Sequence, residues 1–300
     1  MEIHWDDLRL FLAVARSESI SGAGRVLKID PATVGRRIKR LEDGIGSPLF
    51  AKSPLGYALT DDGHRLLVHA ERAEQSVAQA TEEVRGQSGK LTGLVRIGAP
   101  DGCANYLLPQ VCTQIVQHHP GLELQIVALP RVFNLSKREA DMAIAVSAPA
   151  SERMAVQKIT DYKLHLAASQ HYLENSSPIN GLSDLAGHRI VGYIPDMIFD
   201  KELDYLADIN ADRLDLASNS VSVQFNLIRQ NGGVGIAHDF ALPSAPEVRR
   251  ILPHDIALTR SFFLIRHRDD QRVERLNRVA DALVSGLRQE VSRLEAQLDS

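Results

Sequence analysis

Apolar residues in the first third of the chain recur at helical spacing; beyond it they fall in short runs punctuated by Pro and Gly. Leu8, Phe11, Leu12 and Ala15 mark a first helix, which Asp6 or Asp7 can cap. A second helix turns Ala23, Val26 and Leu27 inward, with Ser21 as its cap. Asp30 caps a third, with Pro31 in its first turn, where the missing N–H costs nothing. Val34, Ile38, Leu41 and Ile45 form the buried stripe of this third helix. Only Lys28 and Ile29 separate helices two and three, so the pair must cross steeply, as in a helix-turn-helix. The opposite face then offers Ala32, Thr33, Arg36, Arg37 and Arg40 to a major groove.

Leu49–Lys52 and Tyr57–Thr60, joined through Pro54 and Gly56, predict a small hairpin, a wing that places Lys52 beside a phosphate. A long helix follows from a cap at Thr60 or Asp61 to about Ser88. Its apolar positions Leu66, Ala70, Ala73, Val77, Ala80 and Val84 alternate in steps of four and three, the signature of a heptad seam. The small residues at 70, 73 and 80 suit close approach of two helices and point to dimerisation, against the plainer reading of packing on the chain's own domain. Gly86, Gly89 and Gly93 mark a linker.

Beyond it strands and helices alternate. Strands are expected at Leu94–Ala99, Leu122–Leu129, Met142–Val146, Leu164–Ala168, Arg189–Tyr193, Val234–Ala237 and Ser261–Arg266. Helices are expected at Leu107–His119, Ser222–Gln230 and Arg272–Leu298. This order implies an α/β unit with largely parallel sheets.

Composition narrows the partners. The chain has 300 residues, 44% hydrophobic and 24% charged, an ordinary globular make-up. No apolar run approaches the roughly 18 residues that span a bilayer, and the acidic start Met1–Asp7 is unlike a signal peptide, so a cytoplasmic protein without membrane contact is expected. The net charge of −4 conceals an asymmetry: residues 1–60 carry +2, and Arg36, Arg37, Lys39 and Arg40 fall within five positions without an acid among them. Attraction for phosphates is thereby confined to one face. Cys103 and Cys112 have no metal-ligand spacing, and no metal or cofactor is expected; they read as plain thiols, with redox sensing by Cys103 the alternative. Catalytic motifs are missing as well: there is no G-x-S-x-G elbow, P-loop, H-E-x-x-H or C-x-x-C. The glycine-rich Gly232-Gly233-Val234-Gly235 precedes a strand, where a dinucleotide loop would follow one. A bifunctional metabolic enzyme with an N-terminal DNA-binding domain is the alternative function, but the Gly/Arg-rich nucleotide loop it would need is not found; a free-standing solute-binding protein is a further one, opposed by the missing export signal and the basic third helix.

Ser19–Leu27 followed by Ala32–Glu42 resembles the helix-turn-helix of LysR-type transcriptional regulators. Gly46–Phe50 and Leu59–Gly63 are similar to that family's wing and linker-helix start, and Gly93–Gly98, Ala140–Ile144 and Gly232–Ala237 to later landmarks. The resemblance implies a winged helix-turn-helix over 1–60, a linker and dimerisation helix over 61–90, and an effector-binding domain over 91–300 built like a periplasmic binding protein. Its first lobe would be about 91–163 with 267–300 and its second about 164–266, with crossovers near Lys163–Leu164 and Arg266–His267. It also implies homodimers that assemble into tetramers, bend double-stranded promoter DNA and leave RNA polymerase as a possible further partner.

Three positions depart from the family pattern: Gly24 stands for a commoner alanine, Gly35 for Ser or Thr, and Asp101 where relatives place Ser or Thr to hold a carboxylate ligand. The acid at 101 disfavours an anionic effector. For DNA, the expected contacts are Ser21, Pro31, Ala32, Thr33, Arg36, Arg37, Arg40 and Lys52; Arg36 reads bases, while Arg37, Arg40 and Lys52 hold phosphates. For the effector they are Asp101, Gly102 and Cys103 after the first strand, Arg131 and Phe133 after the second, and Ser218, Asn219 and Ser220 ahead of a helix. Ser218 and Ser220 serve equally as ordinary helix caps.

Overall fold

The computed structural model describes residues 4–53, 56–84, 91–128, 140–149, 151, 153–205 and 214–298. The chain divides into two compact units, Met1–Gly89 and Lys90–Ser300.

The first unit packs α1 (Trp5–Ser17), α2 (Ile20–Leu27) and α3 (Pro31–Ile45) around Phe11, Val14, Ala23, Val34, Ile38 and Leu41. Asp30 caps α3 through the Ala32 and Thr33 amides, and Pro31 opens the helix, as expected. Other details differ. No side chain caps α1, and Asp7 is buried. Ser19, not Ser21, caps α2 by accepting from the Gly22 amide, which leaves Ser21 exposed. Val26 is 72% exposed and Ile45 37%; Gly24 takes the inward place on α2 instead. A Cβ on Gly24 would stand 2.7 Å from the Ile29 carbonyl, so in this chain the α2–α3 turn closes directly over the missing side chain.

Strands β1 (Phe50–Ser53) and β2 (Gly56–Leu59) pair antiparallel, Phe50 opposite Leu59, to make the wing. Then α4 (Asp61–Val84) begins under the Thr60 hydroxyl, which accepts from the Gly63 amide at 3.0 Å and donates to the Pro48 carbonyl at 2.7 Å.

The second unit holds, among the described residues, a nine-stranded mixed sheet. Its centre is an antiparallel ribbon of β6 (Met154–Ser169) and β11 (Ala257–His267), in register from Met154 opposite His267 to His165 opposite Ala257. The expectation of largely parallel sheets is therefore corrected: parallel pairing flanks this ribbon. On one side stand β5 (Met142–Ala145), β3 (Thr92–Ala99) and β4 (Gly121–Ala128); on the other, β9 (Val234–His238), β7 (Ile190–Gly192) and β8 (Leu216–Ala217), with β10 (Val248–Arg250) on the end of β6. The ribbon is also the double crossover between lobes. β6 meets β9 from Leu164 onward. On β11, Phe263–Arg266 already pair with Ala145–Met142 of β5, so the return to the first lobe comes at the bulge between Phe262 and Phe263, ahead of the expected Arg266–His267.

Helices α5 (Asp101–Tyr106) and α6 (Leu108–His118) follow β3, α7 (Gln170–Glu174) follows β6, and α8 (Val221–Arg229) precedes β9. The last helix, α9 (Glu274–Ala296), buries Leu276, Val279, Leu283, Leu287 and Val291 and packs on α6 and β6. The glycine run ahead of β9 is explained by packing. Gly233 has φ +151°, and a Cβ there would stand 2.2 Å from the Arg189 carbonyl; one on Gly235 would stand 2.7 Å from that of Val191. These glycines let β9 lie beside β7.

Candidate nucleic-acid interface and effector cleft

On α3 the buried stripe of Val34, Ile38 and Leu41 leaves Pro31, Ala32, Arg36, Lys39 and Arg40 exposed and Thr33 half-buried. The Arg36 guanidinium reaches the Thr33 hydroxyl at 3.3 Å, a contact within the exposed face that leaves its remaining donors toward solvent. Such a fork suits the paired acceptors of a guanine edge.

The other two arginines have a different employment. Arg37 Nε donates to Asp7 Oδ1 at 2.7 Å, and Arg40 grips the same carboxylate through Nε at 3.2 Å and Nη2 at 2.7 Å. Arg37 keeps only 24% of its side chain exposed. Both arginines, expected as phosphate contacts, thus join α3 to α1 as well, and Arg40 shares its half-exposed side chain between Asp7 and the surface. Burial opposes the charge on Asp7, but the hydrogen bonds from Arg40 and Arg37 and their positive charge outweigh it, and its carboxyl titrates below the usual range. Lys39, absent from the expected contacts, is a further exposed cation on this helix. It borders a groove of about 670 Å³ between α3 and the wing, lined also by Ile20, Gly35 and Tyr57. The side chain of Lys52 lies outside the described residues.

The expected heptad seam divides in two. Ala70 is buried and Leu66 half-buried in the core of the first unit, so these two serve their own domain. Ala73 is half-buried, whereas Val77 at 51% and Ala80 are exposed. The side chain of Val84 lies outside the described residues.

In the second unit the lobes meet at Asp101. This residue opens α5 at the end of β3, and its Oδ2 accepts from the Ser220 hydroxyl and the Ser222 amide, both at 2.8 Å, at the start of α8 in the other lobe. Ser220 also caps α8 by accepting from the Val223 amide, so the cap and the interlobe contact are one hydroxyl. Ser218 accepts from the Ser220 amide at 3.1 Å. Asp101, Gly102, Cys103 and Asn219 line one cavity of about 20 Å³, with His238 and Tyr162 among its other walls. That space holds about one water molecule. Arg131 and Phe133 lie outside the described residues.

Around it, Tyr162 stacks on Phe262 with ring centroids 4.2 Å apart and on His238 at 5.5 Å. Burial pushes His238 down to about 4, so the ring is neutral at physiological pH. Cys103 and Cys112 are both buried, and burial pushes Cys112 up to about 12 and Cys103 higher still. Neither thiol has the exposure and thiolate character of a sensor in this arrangement.

Comparison with known proteins agrees with both halves. The model of the lysR-family bacterial regulatory helix-turn-helix protein matches residues 5–64, and that of the LysR substrate binding domain matches 88–288. The chain belongs to the LysR family of transcriptional regulators. Among relatives of this LysR-family chain, DgdR of Burkholderia cepacia is 35% identical over 142 residues, 46% of this chain and 48% of DgdR, so the match spans about half of that protein. PtxR of Pseudomonas aeruginosa is 24% identical over 253 residues, covering 83% of this chain and 80% of PtxR. The solved structure of CrgA from Neisseria meningitidis shares the fold, with a TM-score of 0.59 at 22% identity over 95% of this chain and 99% of that one. Among the described residues no helix is long and apolar enough to cross a membrane.

Proposed function

We propose that the chain is a cytoplasmic one-component switch, not an enzyme, that reads promoter DNA through α3 and answers to a small molecule bound between the lobes of its second unit. The observation that carries this reading is the two-sided α3: its apolar stripe closes the core of the head while Arg36 stands exposed on the other side. Two copies pair through the solvent-exposed stretch of α4 around Val77 and set their reading helices on half-sites a helical turn or a multiple apart. Dimers associate into tetramers that bend the promoter and meet RNA polymerase there. An effector that parts the lobes binds the open form better than the closed one, and this difference drives the change in DNA contacts.

Arg36→Ala tests the reading. Binding isotherms on operator and scrambled duplexes are expected to show about 1–3 kcal/mol lost on operator and much less on scrambled DNA. Equal losses on both would make Arg36 a phosphate contact. Val77→Glu tests the pairing, because the residue is 51% exposed and a carboxylate there sets like charges across the seam. Light scattering is expected to fall from a multiple of the 33.0 kDa chain mass to that mass itself, with the far-ultraviolet circular dichroism unchanged. An unaltered mass would move the dimer contact elsewhere.

A further inference from the structure

We infer that the molecule this cleft selects is a compact primary ammonium, giving its N–H groups to Asp101 and His238 and laying its apolar part on Tyr162, Phe199 and Phe262. The inference rests on the proposal that the cleft is the sensing site, and supplies the ligand class.

The anion place is already taken. A helix N-terminus with its free amides attracts a carboxylate. At α8 that carboxylate is the protein's own, since Asp101 Oδ2 holds the Ser220 hydroxyl and the Ser222 amide. An anionic ligand would have to displace Asp101 and then lie against its charge. Among the described residues the other oxygen, Oδ1, takes only the Asn105 side-chain amide at 3.1 Å, which leaves acceptor capacity for a donor.

His238 supplies a second acceptor. The ring is 8% exposed and lines the cavity, and among the described residues neither nitrogen has a hydrogen-bond partner. Its Cε1–Nε2 edge faces Gly102, 3.6 and 3.8 Å from where a Cβ on that glycine would stand, next along the chain from Asp101. A neutral imidazole offers one lone pair to an N–H donor. No Lys or Arg borders the cavity among the described residues. Nearby, Arg260 Nε is engaged by Glu202 at 3.1 Å. Apart from the neutral Asn219 amide, the remaining walls are apolar or aromatic side chains and backbone. Size is limited too: Gly102 and Val221 face each other so closely that a Cβ on Gly102 would stand 3.0 Å from Val221 Cγ2. Any ligand must part the lobes, and a compact one parts them least.

Three molecules that share a tert-butyl group separate charge from shape: tert-butylammonium, tert-butanol and pivalate. Titration calorimetry on the full chain at neutral pH and matched ionic strength is expected to rank the ammonium at least about tenfold tighter than the alcohol, with pivalate weakest. Asp101→Asn, which keeps the side-chain shape, is expected to weaken the ammonium by about tenfold or more and to bring pivalate level with it. Pivalate binding best to the unaltered chain would keep the cleft as a ligand site and overturn the cation class. Equal ammonium affinity in both chains would overturn the role of Asp101. Heat from none of the three, in either chain, would overturn the ligand class and count against the cleft as the sensing site. Should the variant fold poorly by its melting curve, the ranking of the three on the unaltered chain still decides.

Discussion

Asp7→Ala is expected to lower the stability of the N-terminal unit by about 3 kcal/mol, the low end of what breaking a buried ion pair costs. The carboxylate is 3% exposed and holds two guanidiniums from α3, thirty and thirty-three residues away. Removing it leaves Arg37 mostly buried without its acceptor, and water can relieve Arg40 only in part. At roughly 4 °C or more per kcal/mol for a unit of this size, the melting point should fall by about 12 °C. Trp5, the chain's single tryptophan, lies two residues from Asp7 on the same helix, so its fluorescence follows this unit. The same contact makes the head acid-sensitive. Because the folded state holds the Asp7 carboxyl below its ordinary value, its contribution is complete above the ordinary Asp range and is lost as pH falls through that range toward the folded value. Asp7→Ala should therefore flatten the acid limb of the Trp5-monitored stability profile. A variant whose melting point stays within a degree or two would mean that the two arginines stand equally well without their partner.

How far residues speak for themselves depends on how far apart their partners lie. The stripe of Val34, Ile38 and Leu41 and the Asp30–Pro31 start of α3 were legible because their causes are local: a period of 3.6 and a cap within three residues. The two arginines were legible as basic but not as occupied, since nothing in a helical period announces a carboxylate on another helix. Val26 has the spacing of a core residue, yet it is Ala23 and Gly24 that face inward, under the α2–α3 turn, and Val26 that is turned out. The seam on α4 shows the same limit: one repeat serves first the head's own core at Ala70 and then open surface at Val77.

In the second unit most strands were readable, but the first half of β6 was not. Its exposed Gln157 and Lys158 break the apolar run that marks a strand, and the ribbon with β11 is a pairing across about a hundred residues. Hence the sheet's antiparallel centre was missed while its parallel flanks were expected. At the cleft, Asp101 and Ser220 were each singled out by position; their contact spans 119 residues and only the fold supplies it.

Gly63→Ala sets two local rules against each other, and its sign is the measurement. Gly63 lies in the first turn of α4, where alanine is intrinsically better by about 1 kcal/mol. Yet a Cβ there would stand 2.1 Å from the Leu49 carbonyl oxygen and 2.9 Å from Leu59 Cδ2. That carbonyl also accepts the Thr60 amide at 3.0 Å, so it cannot retreat without loosening the joint between wing and linker helix. Forcing backbone apart in a packed joint costs about 3 kcal/mol, at the upper end for overpacking, and the net expectation is a loss of about 2 kcal/mol. Gly46 is the control, with φ +78° and open space around its missing Cβ. There alanine meets only the left-handed backbone penalty, about 1 kcal/mol. Trp5-monitored melts should rank the chains in the order unaltered, Gly46→Ala, Gly63→Ala, and operator affinity should fall furthest in the last, because that joint carries the wing. If Gly63→Ala melts higher than the unaltered chain, helix propensity has won, α4 does not press on the wing as described, and the head is not held to its linker helix by this contact.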